Sequence, residues 1–216
     1  MSSQSISPFA ANMLLFPAVL HFFSHLERRM DYSADELRAI LLAYQQVASA
    51  SWPDLNPSMK SRASRWASAS ADELRAELDG YVREVAPPRT NVRILWKTGP
   101  KLLFGGCNEQ AAKDAGLKAS ELIGIDDFDK RLPWRHQAAK YRRDDETVVK
   151  TGKANLDIIE RQESSAGEMT WVRAGKAPIK LADGTAIGVL AMYEIVDAAT
   201  GRSLFMKSMK SEGAKV

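Results

Sequence analysis

The chain lacks the residue combinations that announce most functions. One cysteine in 216 residues excludes an intrachain disulfide framework and fits a reducing, cytoplasmic setting. No nucleophile elbow, phosphate loop or metal triad occurs, so no enzyme is expected and no catalytic residue is assigned. The paired glycines in FGGCN (Phe104–Asn108) open no phosphate-binding helix and read as strand-end geometry. The apolar run Met13–Phe23 is too short to cross a bilayer and is broken by Pro17, so no membrane span is expected. No basic region precedes it, which argues against a secretory signal. Charge is nearly balanced as well. Residues 1–91 carry nine basic and ten acidic side chains, residues 92–197 carry 17 and 16, and residues 198–216 carry four and one. Neither half has the basic excess of a nucleic-acid binder, and no nucleic-acid partner is expected.

What is present divides the chain in two. The first 86 residues contain helix signals only. One helix is placed from Pro17, where a missing N–H costs nothing. Ser33 with Glu36 forms a capping box ahead of a stripe of Leu37, Ile40, Leu41, Tyr44 and Val47. Asn56 with Pro57 opens a third helix carrying Met59 and Trp66. Ser70 with Glu73 opens a fourth, with Leu74, Leu78, Tyr81 and Val85 on its apolar face. SADELRAILLAY and SADELRAELDGY share nine of twelve residues; two copies are too few for a solenoid, and shared capping grammar accounts for most of the identity. The prolines of APPRTN (Ala86–Asn91) end the helical part.

Strand-like segments then follow: NVRILWK, KLLFGGC, KANLDIIERQE, MTWVRAGKAPIKL and AIGVLAMYEIV, the last two joined by a turn at Asp183-Gly184. Between the second and third lie ELIG, DDFD…LPW and YRRDDETVVKTG. The ordered set, from the Cys107-Asn108 step to DGTAIGVLAMYEIVD, resembles a PAS domain of bacterial signalling proteins. The resemblance implies a five-stranded antiparallel sheet with helices on one face, used to sense a ligand or to pair with a partner. The expected fold is therefore α+β, with helices over 1–88, a PAS-like sensor over 89–197 and a flexible tail, frayed from a helix, over 198–216.

The long helix expected from about Pro133 to Thr151 locates a candidate site. Trp134, Ala138, Tyr141, Asp145 and Val148 fall within about 40° of one direction at 100° per residue. That stripe is expected to face the sheet, enclosing a cavity between Trp134, Tyr141 and Asp145 on the helix and Trp96, Trp171, Arg173 and Met192 on the strands. Asp145 is the anomaly, because a buried carboxylate must be paired. Either it forms an internal salt bridge with Arg173 or Lys176, or it or Arg173 contacts a polar ligand. Some PAS domains bind heme through a histidine near this helix, but His136 lies about 200° from Trp134 and points to solvent. Light-sensing relatives place a flavin-reactive cysteine in the short helices, where this chain has LIGIDDFDKRLPW; Cys107 instead ends a strand and reads as a small packed residue. Heme and flavin are thus both disfavoured and the cofactor is left unknown. His21 and His25 share a helix face without a third ligand, so no metal site is assigned. The expected function is a signalling protein that binds a small molecule and acts through its N-terminal helices on a separate protein partner. A two-fold homodimer is expected through those helices. The alternative is a ligand-free interaction module whose core fills itself.

Overall fold

The computed structural model describes residues 30–55, 59–83 and 91–213. The expected helix at Pro17, the run Met13–Phe23, His21 and His25 lie outside them, as do the boundary residues 86–90. Both capping boxes form. Ser33 Oγ accepts from the Glu36 N–H at 3.3 Å while the Glu36 carboxylate accepts from the Ser33 N–H at 2.8 Å, and helix α1 runs Ala34–Ser51. Ser70 and Glu73 repeat these contacts at 3.3 and 2.8 Å ahead of α3, Ala71–Arg83. Between them lies α2, Met59–Trp66. Pro53, which cannot continue a helix, follows directly on the last turn of α1.

Five strands form one antiparallel sheet: β1 Val92–Thr98, β2 Leu103–Cys107, β3 Asn155–Glu163, β4 Met169–Lys180 and β5 Ala186–Val196, in the order β2-β1-β5-β4-β3. Gly184, at φ 87°, makes the turn into β5, as the Asp-Gly pair requires. Between β2 and β3 the chain forms α4 Glu109–Ala115, α5 Ala119–Leu122 and α6 Ala138–Thr151. Asn108 ties α4 to the sheet. Its Oδ1 accepts from the N–H groups of Ala111 and Ile94, each at 3.1 Å, and its Nδ2 donates to the Val92 carbonyl at 2.9 Å. The helix expected from Pro133 starts later as a true α-helix. Residues Arg135–Gln137 form a tighter 3-10 turn, in which the Gln137 N–H reaches the Trp134 carbonyl at 2.7 Å.

The sheet is buried on both faces. Its inner face packs against α4 to α6, through Leu95, Val172, Ala174, Ala191 and Tyr193. Its outer face, through Val92, Ile94, Trp96, Ala177, Ile179, Leu190 and Met192, meets α1, which in turn packs against α3. Tyr44 of α1 stacks on Tyr81 of α3 at 5.0 Å between ring centroids. The helices of the N-terminal segment and the strands therefore share one core. The paired glycines of β2 belong to it: a Cβ on Gly106 would fall 2.0 Å from the Trp96 ring, and one on Gly105 would fall 1.9 Å from the Tyr32 hydroxyl. The segment expected as a frayed helix running into a flexible tail forms helix α7, Ala198–Gly213, packed on β3 and β4. Gly201 lets α7 approach Trp171, and Phe205 meets the same indole at 5.7 Å.

Candidate functional site: a buried ion chain on the inner face

Strand alternation sends residues 93, 95 and 97 of β1 to the inner face and 92, 94 and 96 to the outer one. Lys97 therefore enters the interior from a central strand, and Lys176 does so from β4. Between them stands Asp145, on the buried stripe of α6 with Ala138, Tyr141 and Val148. Asp145 Oδ2 accepts from Lys97 Nζ at 2.7 Å and its Oδ1 from Lys176 Nζ at 2.6 Å. Lys97 also donates to Asp127 Oδ2, at 2.6 Å. Asp127 comes from the loop between α5 and the 3-10 turn. The four charges alternate along a chain, and each side chain is at most 8% exposed.

Such a chain is tolerable in an interior only because every charge is matched and hydrogen-bonded. Burial alone would raise the Asp145 carboxyl, but the Lys97 and Lys176 ammonium groups outweigh it and hold the carboxyl below its ordinary range. Burial alone would likewise lower Lys97, yet Asp145 and Asp127 together hold it above its ordinary range. Aromatic faces complete the surroundings. The Phe104 ring centroid lies 4.9 Å from Lys97 Nζ, and that of Tyr141 lies 5.8 Å from Lys176 Nζ. Cys107 sits in the same core beneath Ala111 and Ala112, its thiol pushed up to about 12 by burial, so it is an inert packed residue.

Of the seven expected site residues, Trp134, Tyr141 and Asp145 lie on the inner face. Trp96, Trp171, Arg173 and Met192 do not. Trp96 donates to the Tyr32 hydroxyl at 3.2 Å, and Met192 belongs to the core shared with α1. Trp171 packs on α7. Arg173 donates to the Ser51 carbonyl at the end of α1, at 3.0 Å, and pairs with Glu194 at 3.3 Å. Trp171 and Arg173 do share a face, but it is the outer one. The Asp145 partners are Lys176, one of the two cations expected, and Lys97, which was not expected. A lone lysine alternating with Leu95 in the apolar strand VRILWK was the available signal, as was the second aspartate of DDFD. His136 points away from the core, half exposed beside Glu163.

A concavity of about 970 Å³ lies at the end of the sheet between Tyr32, Leu102, Val149 and Ile187. It is bordered by Met30, where the described chain begins, and no part of the ion chain reaches it.

The five-stranded antiparallel sheet, with α4 to α6 packed on its inner face, is what the sequence resemblance implies; its strand order is β2-β1-β5-β4-β3. The mixed helix-and-sheet architecture over the expected 89–197 segment is consistent with a PAS fold. The whole chain matches no protein-family model and no curated protein sequence. Solved structures similar in part include the Vibrio cholerae VqmA dimer, 18% identical with a TM-score of 0.48, over 57% of this chain and 52% of that one. A light-oxygen-voltage domain described with a flavin analogue is 13% identical with a TM-score of 0.46, over 65% of this chain and 96% of that one. A PAS domain from Colwellia psychrerythraea is 14% identical with a TM-score of 0.43, over 57% and 95% respectively. The chain spans about half the length of the VqmA structures it matches. Among the described residues, no helix is long and apolar enough to cross a membrane.

Proposed function

We propose that this chain is a sensor and relay module rather than a catalyst: a small molecule bound between α6 and the inner face changes how α1 to α3 meet a separate protein partner. The observation supporting this reading is that one strand touches both compartments. In β4, Lys176 belongs to the inner ion chain, while Arg173, three residues earlier, holds the C-terminal carbonyl of α1. A cation at that end of a helix satisfies an orphan carbonyl and complements the helix dipole. In this reading, a change in the pull on Lys176 reaches the end of α1 along the strand that carries both residues. The module works as a two-fold homodimer in the cytoplasm, without direct contact to nucleic acid. Native mass spectrometry of the full chain purified from its own host tests the reading. The expected result is a bound small molecule, lost in Lys97→Met. A chain that carries no adduct, and no thermal shift across a metabolite panel, would defeat it.

The matched ion chain favours one rival. Four buried charges that satisfy one another occupy the middle of the inner core, which suits an interaction module that needs no ligand. That reading requires the isolated protein to bind a partner protein with unchanged affinity when Lys97 or Asp127 is replaced.

A further inference from the structure

We propose that the ion chain is an anion site held shut from within by Asp127, and that its ligand is a monocarboxylic acid with an apolar body, whose carboxylate takes the place of Asp127 on Lys97. The inference rests on the sensor reading above and assigns its ligand class.

Three of the four charges are fixed by regular structure. Lys97 is in β1, flanked by β2 and β5; Lys176 is in β4, flanked by β3 and β5; and Asp145 is in the middle of α6. The fourth, Asp127, belongs to a loop whose neighbouring polar groups bond mostly within the loop, apart from Asp126 Oδ2, which accepts from Arg142 Nη2 of α6 at 3.3 Å. Asp126 Oδ1 accepts from the Phe128 N–H at 3.0 Å, and Asp129 Oδ1 accepts from the Arg131 N–H at 3.0 Å. The Asp129 and Leu132 N–H groups bond to the Asp126 and Asp129 carbonyls at 3.1 and 3.0 Å. None of these bonds uses the Asp127 side chain, so its departure from Lys97 need not break them. Next to Asp127, Phe128 is largely exposed, with Arg142 against its ring.

Charge decides what can replace Asp127. Lys97, Asp145 and Lys176 together carry one net positive charge, and a buried unmatched charge is strongly unfavourable. Exchange of Asp127 is tolerable only for a group bearing a single negative charge. Lys176 adds donor capacity. Among the described residues it gives one hydrogen bond, to Asp145, and an ammonium can give three. The body of the ligand would meet Phe104, Leu122, Leu132, Trp134 and Tyr141, which select an apolar frame. A carboxylate on such a frame fits both conditions, whereas a zwitterion or a dianion fails the first.

Benzoate and its neutral isostere benzamide are the probes, with the full-length protein, followed by thermal shift and titration calorimetry. Asp127→Ala, and Asp127→Asn as the variant that preserves shape, should bind benzoate saturably and ignore benzamide. The wild type should also bind benzoate, on the order of tenfold more weakly, because Asp127 must first be displaced. In the wild type benzoate should speed tryptic cleavage after Lys130 and Arg131 as the loop is released. Equal responses to benzoate and benzamide overturn the proposal. So does rescue confined to the Asp127 variants with an unresponsive wild type, because Asp127 would then be a structural lock only. A neutral or cationic adduct in the native mass spectrum, with no benzoate response, ends the carboxylate assignment and leaves the sensor reading standing.

Discussion

On its outer face the sheet meets α1 through Ile94, Trp96, Ile179, Leu190 and Met192. On its inner face the same strands present Lys97 and Lys176 to carboxylates, among small residues such as Ala111, Ala112, Ala174 and Ala191. The outer core is held by apolar area and close packing, which are indifferent to charge and proton concentration. The inner core is held partly by matched ions, which bring little net stability and penalise any imbalance. A protein that must respond to a small molecule gains from separating the two. One face anchors the helices, and the other carries the matched ions that the proposed ligand would have to rebalance.

The sharpest way to break this comparison is Asp145→Ala. It leaves two buried ammonium groups facing one remaining carboxylate and should cost about 3–5 kcal/mol, read by urea denaturation. A loss below 1 kcal/mol would mean that water reaches the chain and the inner core is not dry. The pH profile sharpens the same point. Asp145 is held below its ordinary 3.8, so its stabilisation is present above that pH and disappears as the pH falls through the depressed value. Lys97 is raised above 10.5, so its share is present below that pH and is lost as the pH rises through the raised value. The ion chain should therefore leave stability level across the neutral range, with Asp145→Asn removing its part of the acid limb.

On the outer face, Met192→Ala should cost about 2–5 kcal/mol by loss of buried volume and leave benzoate affinity unchanged. An altered affinity with intact stability would move the site to the outer face. Next in size is Gly106→Ala, whose Cβ would strike Trp96; overpacking of this kind costs about 1–3 kcal/mol, measurable as a lower denaturation midpoint. The smallest effect is Ser70→Ala, which removes the cap of α3 for about 1 kcal/mol and should match Ser33→Ala, since both boxes have the same geometry.

The sequence and the structure agree best where one element has one buried face. The stripe Ala138, Tyr141, Asp145 and Val148 was legible because a helix on a sheet buries only one side. So were both capping boxes and the bounds of β5, whose signals are local. Strand alternation correctly placed Trp171 and Arg173 together, but alternation is blind to which face is which. With both faces covered, a large buried side chain such as Trp96 or Met192 fits either. Only the packing of α1 on β4 and β5, a contact between segments more than a hundred positions apart, breaks that symmetry. Lys97 escaped notice for a related reason: its partners, Asp127 and Asp145, are 30 and 48 positions away.

That same long reach has a consequence for how the protein is made. Arg173 holds the carbonyl of a residue 122 positions earlier, and β4 and β5 supply much of the surface on which α1 rests. During synthesis α1 leaves the ribosome long before β5 exists. At 5–20 residues per second the wait is on the order of ten seconds, with Leu37, Ile40, Tyr44 and Val47 lacking their final partners. Contacts so distant in the chain also slow the closing step itself. Until the last strand emerges, the apolar stripe of α1 therefore lacks much of the sheet surface against which it packs in the folded protein.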